Sequence, residues 1–235
     1  MKDKVTTKGY LSDFDHPIVQ KKAADLTLGK QTSLDKLESI FNFVRDGIRF
    51  GFSPKWDEVK ASEVMGFGLG YCNTKATLFQ ALSKASGIPA RVHFGLIDIR
   101  IMRGILPSFA FPFMPKVGGH SWVEVQLDGQ WKPIDSYIND QPFYERALKR
   151  LRASGRTMGF SVSFKDGKAS CEFNFGEKGF VHMGAVVEDH GVWEDSAEYF
   201  ASDKYLRWNA IQSMLYPVLA SLANRNVERI REEAV

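Results

Sequence analysis

Cysteine is scarce in this chain of 235 residues, which has only Cys72 and Cys171. Two cysteines cannot make a disulfide framework, and no Cys-x-x-Cys or His-x-x-x-His spacing occurs. No metal site is therefore expected, and no cofactor is implied. Charge imbalance is also nearly absent: 31 basic against 28 acidic residues leave +3. That is too little to point to nucleic acid or a membrane surface. Long apolar runs are missing. The most apolar loop, Ile105 to Pro115, is far too short to span a bilayer and carries Pro107, Pro112 and Pro115. The N-terminal stretch, Met1 to Ser12, is polar and lacks the apolar core of a signal peptide. A reducing, cytoplasmic setting is therefore expected, which leaves Cys72 a free thiol. There is no internal repeat, low-complexity tract or flexible linker. A single domain over residues 1–235 is expected, and 44% hydrophobic residues are enough for a sizeable core. Basic residues cluster at Arg146, Lys149, Arg150, Arg152 and Arg156, which reads as a solvated helix face.

What is present begins with helices. Asp15 with Pro17 predicts a helix start, with an end at Gly29. Thr32 with Asp35 predicts a capped second helix, carrying Leu34, Leu37, Ile40, Phe41 and Val44 at helical spacing up to Gly47. Ala61 to Met65 reads as a short helical turn. A third main helix starts near Cys72, buries Ala76, Phe79 and Leu82, and ends at Gly87. The period then changes. Arg91 to Ile99 reads as a strand. Ser121 to Leu127 alternates, Asp128-Gly129 is a hairpin turn, and Gln130 to Ile134 returns. A polar helix over 141–152 follows. A second hairpin is expected from Phe160, Val162 and Phe164 through Asp166-Gly167 to Ala169, Cys171, Phe173 and Phe175. From Asp195 the chain reads as helical again, as a C-terminal extension over about 195–235 interrupted by Pro217. Helices first and antiparallel strands after them argue for an α+β fold.

Cys72 is the residue that points to chemistry. It follows the glycine-rich run Gly66-Phe67-Gly68-Leu69-Gly70-Tyr71 and opens a helix. A thiol in a helix's first turn faces unpaired N–H groups and the positive end of the dipole, which favours thiolate. A thiol nucleophile also needs a base and commonly a group to orient it. Five histidines compete. His120 is the best placed, following Gly118-Gly119 at a strand start. Asp135 ends the next strand, and folding about Asp128-Gly129 brings the two close to opposite each other. His93 reads as a hydrogen-bonded core residue, His182 and His190 as scaffold able to approach the site, and Trp122 and Trp131 as core.

The blocks Gly68-Leu69-Gly70-Tyr71-Cys72-Asn73-Thr74-Lys75-Ala76, Gly87-Ile88-Pro89-Ala90-Arg91, Gly119-His120-Ser121-Trp122-Val123-Glu124-Val125 and Trp131-Lys132-Pro133-Ile134-Asp135 occur in that order. Together they resemble the core of the transglutaminase-like superfamily, most strongly over about 34–135. More loosely, the whole chain resembles stand-alone bacterial transglutaminase-like proteins. The resemblance implies a papain-like fold, with N-terminal helices packed on an antiparallel sheet. It implies Cys72 as nucleophile, His120 as general base and acid, and Asp135 as orienting carboxylate. The chemistry it implies is acyl transfer through a thioester, with attack on an amide carbonyl; a peptide or small-molecule amide is the expected substrate. The Cys72 N–H is the first oxyanion donor by this resemblance, and the Trp56 indole the second. Asn73 stands where many relatives have Asp, Ser121 where many have Ala, and Ser136-Tyr137 where Pro-Thr is usual.

The loop over 99–118 is longer than in minimal relatives. Its Phe109, Phe111 and Phe113 are expected to form either a lid or pocket wall for substrate, with His182 as a further contact, or a satellite core under the loop. Hydrolysis of an amide or peptide bond is the leading expectation. Small-molecule acyl transfer is the alternative, and a non-catalytic peptide-binding module is the reading from another class. The oligomeric state is not legible, although Leu206, Ile211, Leu215, Val218 and Leu222 suit an interface as well as a core.

Overall fold

The computed structural model describes residues 10–233. Met1 to Gly9, most of the stretch read as lacking a signal sequence, lies outside the described residues, as does the side chain of Ile211. Helix α1 (Pro17–Thr27) has Pro17 in its first turn, as expected, but His16 caps it, accepting from the Ile18 N–H through Nδ1. Helix α2 (Ser33–Asn42) opens with the reciprocal Thr32–Asp35 box and buries Leu37, Ile40 and Phe41, while Leu34 stays half exposed. It runs into one π turn, Phe43–Gly47. Strand β1 (Arg49–Phe50) pairs in parallel with β2 (Leu69–Gly70), on either side of α3 (Ala61–Phe67).

Helix α4 (Cys72–Ala85) is the centre of the molecule, and every residue from Cys72 to Ser83 is buried. A buried helix this polar needs internal partners. Gln80 donates to the Glu194 carbonyl at 2.7 Å, and Thr77 bonds the Ser196 hydroxyl at 2.8 Å. The Lys75 ammonium donates to the carbonyls of Arg45 and Ile138 at 3.0 and 2.9 Å. Burial pushes that ammonium down to about 7, against the pull of Asp140 and Asp46.

Strand β3 (Ala90–Asp98) then pairs antiparallel with β4 (Val117–Leu127). Strand β4 turns through Asp128 (φ +51°) and Gly129 (φ +75°) into β5 (Gln130–Ile134). Both turn residues are left-handed, as a tight hairpin turn requires. Helix α5 (Gln141–Ala153) follows. The expected second hairpin is reduced to a bridge between Lys165 and Lys168 around Asp166-Gly167, with a separate ladder of β6 (Met158–Gly159) and β7 (Val162–Ser163). Residues 169–175 form no strand, and Phe173 and Phe175 pack on the core without a ladder. A strand not anticipated, β8 (Val186–Trp193), completes the sheet in the order β5-β4-β3-β8. Gly95 permits this pairing, because a Cβ there would lie 2.5 Å from the Glu188 carbonyl oxygen. Helices α6 (Ser196–Ala201) and α7 (Ala210–Arg231) close the chain. Pro217 does not interrupt α7; it lies on the exposed side, inside a continuous helix. Among the described residues no helix is long and apolar enough to cross a membrane. The architecture is α+β. Helices α1, α2 and α3 pack against α4, and α4 in turn packs on β3 and β4.

The C-terminal helix is tied to this core by Asp140. Its carboxylate caps α5 through the Phe143 N–H at 3.2 Å and accepts from the Phe50 N–H at 2.8 Å. It also takes two bonds from Arg231, at 2.9 and 2.6 Å. Asp140→Ala would strip the Phe50 N–H of its acceptor and remove two of the Arg231 guanidinium's bonds, leaving it the Phe50 carbonyl and Glu228. The expected cost is about 2–3 kcal/mol, read as a lower urea midpoint at an unchanged slope.

Candidate active site

Cys72 occupies the first turn of α4, and its side chain reaches an uncovered edge of the sheet. The β4–β5 ladder ends at the pair Val123–Ile134, so β5 leaves residues 119–121 of β4 free on that side. Cys72 Sγ lies there, 4.0 Å from the Gly119 carbonyl oxygen and 3.6 Å from Asn73 Oδ1. The backbone N–H groups of Ser121, Asn73 and Cys72 also face the sulfur and favour the thiolate. They do not prevail. Burial, with the Asp57 carboxylate adding to it, pushes the thiol up to about 12. The expectation that the helix terminus would favour thiolate is therefore reversed in the resting protein, because the thiol is only 6% exposed. Cys171 is also a free buried thiol.

His120 sits between Gly119 and Ser121, the residues whose backbone atoms face the sulfur, and is fully buried. Neither ring nitrogen has a hydrogen-bond partner. Its ring centroid is 5.2 Å from that of His182 and 5.8 Å from Trp122. Burial, with His182 beside it, holds His120 well below the ordinary imidazole range, so it is neutral.

Asp135 is fully buried as well, but it does not accept from His120. Its oxygens take the backbone N–H groups of Val181 at 2.8 Å and His182 at 3.1 Å. The register explains this departure. Extended by one residue past Val123–Ile134, it sets Asp135 level with Trp122, diagonal to His120. Burial pushes the carboxyl up to about 7, against the N–H groups of Val181, His182 and Met183. His182 thus touches three parts of the site: its backbone holds Asp135, its ring faces His120, and it lines the cavity next to Cys72. Its Nε2 bonds the carbonyl and hydroxyl of Ser161, at 2.9 and 2.8 Å, and Nδ1 has no partner. A carbonyl only accepts, so Nε2 carries the proton and Nδ1 the lone pair.

The cavity that Cys72 lines measures about 330 Å³. It differs from the expected pocket in two ways. Phe109 and Phe113 are 70% and 86% exposed and do not line it, and neither does the half-buried Phe111. The same loop contributes Met102, Leu106, Met114 and Pro115 instead. Trp56 does line the cavity, but its indole N–H is donated to the Tyr205 hydroxyl at 3.0 Å and its ring packs on Trp208 and Tyr216. In the resting structure that N–H is therefore engaged away from the sulfur, and the donors that face the sulfur are backbone. His93 bridges Glu124 and Asp189 at 2.8 and 2.6 Å, and His190 bonds Tyr199 and Glu188, so both are scaffold. Trp122 is buried, whereas Trp131 is 37% exposed beneath the Arg91 guanidinium.

Asp57 was not anticipated. It is 2% exposed, lines the cavity, and accepts from Asn73 Nδ2 at 2.7 Å, from Tyr205 Oη at 2.8 Å and from Tyr71 Oη. An acceptor there turns the Asn73 amide so that its N–H₂ meets Asp57 and its carbonyl meets the thiol. Asp57 and the Asn73 side-chain carbonyl therefore favour the protonated sulfur, against the Asn73 backbone N–H. Removing the charge with Asp57→Asn should lower the thiol pKa. Alkylation of Cys72 by iodoacetamide at pH 8 should rise on the order of tenfold. Peptide mapping separates the label on Cys72 from that on Cys171.

A family model described as the transglutaminase-like superfamily matches residues 20–136. Among solved structures, the chain is similar to a candidate cysteine protease from Cytophaga hutchinsonii. Identity is 15% and the TM-score 0.45, over 77% of this chain and 43% of that one. It is also similar to a candidate protease from Parabacteroides distasonis, with 16% identity and a TM-score of 0.35, over 52% of this chain and 25% of that one. The chain thus spans under half the length of either. No curated protein matches it.

Proposed function

Residues 20–136 belong to the transglutaminase-like superfamily, and on that premise we propose that this protein is a cysteine-dependent enzyme that hydrolyses an amide or peptide bond through a thioester on Cys72. The observation that carries the reading is the seat of Cys72 Sγ on the cavity wall, against the backbone on either side of His120. On substrate binding, His120 takes the thiol proton as sulfur bonds to the carbonyl carbon. The oxyanion is held by backbone N–H groups at the start of α4. The intermediate collapses as His120 returns the proton to the leaving nitrogen, so an amine or ammonia departs and the thioester remains. Water, deprotonated by His120, then attacks the thioester and releases the acid. Asp135 orients and stabilises the imidazole once contacts tighten around substrate, as catalytic hydrogen bonds commonly do.

The test is an intact-mass trace after exposure to a small activated ester. The expected result is one acyl adduct, mapped to Cys72, that decays to free acid. An adduct on Cys171 alone, or none, would sink the reading. The low exposure of Cys72 favours a second outcome, transfer of the acyl group to an amine instead of water. An amide product in the presence of added amines would select that reading, and free acid alone would remove it.

A further inference from the structure

This inference rests on the reading of Cys72 as an acylated nucleophile. We propose that the acyl group it accepts is compact, uncharged and aryl-bearing, comes from a small-molecule donor, and seats in the cavity beside Cys72. Size is the first argument. The cavity measures about 330 Å³, about twice the roughly 150 Å³ apolar cavity that holds benzene. It admits a phenyl ring on a short acyl chain and no folded loop. Access is the second. Cys72 is 6% exposed and His120 is fully buried, so the surface of a folded protein cannot reach the sulfur.

Lining is the third argument. One wall is a packed aromatic surface, with Trp56 centred 4.2 Å from Trp208, 4.6 Å from Tyr216 and 5.8 Å from Tyr71. Met102 and Leu106 also line the cavity. Aromatic rings and a thioether together favour an arene by stacking and sulfur contact. Charge is the fourth. Besides His182, the acidic and basic side chains that line the cavity are Asp57 and Arg207. Asp57 is buried, whereas Arg207 is exposed and donates to the Phe200 carbonyl. An acyl group with its own carboxylate would meet Asp57 with no buried cation to offset it.

Atoms balance simply: the thiol and R–CO–X give the Cys72 thioester of R–CO and release X–H. The test uses three thioesters with the same N-acetylcysteamine leaving group and differing only in acyl chain: acetyl, 3-phenylpropanoyl and succinyl. Acylation of Cys72 is followed by mass. The 3-phenylpropanoyl donor should react at least tenfold faster than acetyl, and succinyl slower than acetyl. Leu106→Trp and Leu219→Trp, which fill the cavity from separate elements, should each lower the phenylpropanoyl-to-acetyl ratio toward one. That ratio is internal to each variant, so a partly folded sample does not imitate it. If acetyl matches or exceeds 3-phenylpropanoyl while Cys72 is acylated, the substrate class is overturned and the nucleophile stands. If no donor acylates Cys72, the nucleophile reading falls, and this inference with it.

Discussion

Cys72→Ala abolishes the acyl adduct, and His120→Asn slows its formation by roughly 10²–10⁴-fold. Both results are expected from mass-detected acylation with an activated ester. The size of the His120 effect follows from the state of the thiol. With its pKa pushed up to about 12 by burial and by Asp57, only roughly one sulfur in 10⁵ is thiolate at pH 7. A nucleophile held so firmly as thiol needs a base that takes the proton during attack. His120 is neutral and its ring nitrogens are unpartnered, so it is free to do so. A structural role is separable. The His120 side chain makes no hydrogen bond in the resting protein, so its replacement removes no native side-chain bond. The stability loss of His120→Asn should be confined to lost packing beside His182 and Trp122 and to the buried amide, on the order of 1–3 kcal/mol by urea titration, while the rate falls by orders of magnitude. An equal loss of both would make His120 scaffold.

Asp135 should impose a rise in acylation rate with pH centred near 7, and Asp135→Asn should remove it with a rate loss of roughly 10²–10⁴-fold at pH 8. The carboxyl is pushed up to about 7 by burial, from an ordinary value of 3.8. Below 7 it is protonated and cannot stabilise an imidazolium; above 7 it is ionised and can. The same shift affects stability with a definite sign. Between 3.8 and 7 the folded state holds a proton that the unfolded chain has released. Stability must therefore fall as pH rises through that window, by on the order of 4 kcal/mol from this group alone. In Asp135→Asn that slope should disappear from urea titrations between pH 4 and 7. The variant should also be weaker at low pH, because one amide face cannot accept from Val181 or His182 as the carboxyl oxygens do. A rate profile flat from pH 6 to 8 in the parent protein would remove Asp135 from the mechanism.

Local signals were legible where local chemistry decides structure. Thr32 and Asp35 form their capping box, Pro17 starts α1, and Asp128-Gly129 makes the tight turn between β4 and β5. The start of α4 at Cys72 was legible for the same reason. The second hairpin failed although its turn formed. Phe173 and Phe175 pack on the core individually, and apolar alternation does not distinguish that from a ladder. Strand β8 was hidden because its Glu188, Asp189 and His190 are polar. They are accommodated by cross-strand partners such as His93, not by a hydrophobic face. Phe109 and Phe113 misled because an aromatic run does not say which side of a loop meets the cavity.

The sequence by itself determined which residues are candidates for the chemistry. It set Cys72 at a helix start, His120 and Asp135 on successive arms of one hairpin, and an α+β order of elements. Tertiary structure alone decided their state. Burial, a property of everything packed around α4, raises the thiol and the Asp135 carboxyl and keeps His120 neutral. Packing also brings Asn73, Tyr71 and Tyr205 together around Asp57, from three separate stretches of the chain. Spacing along a chain reports which groups can meet. The dielectric around them and the partners that reach them depend on the whole fold.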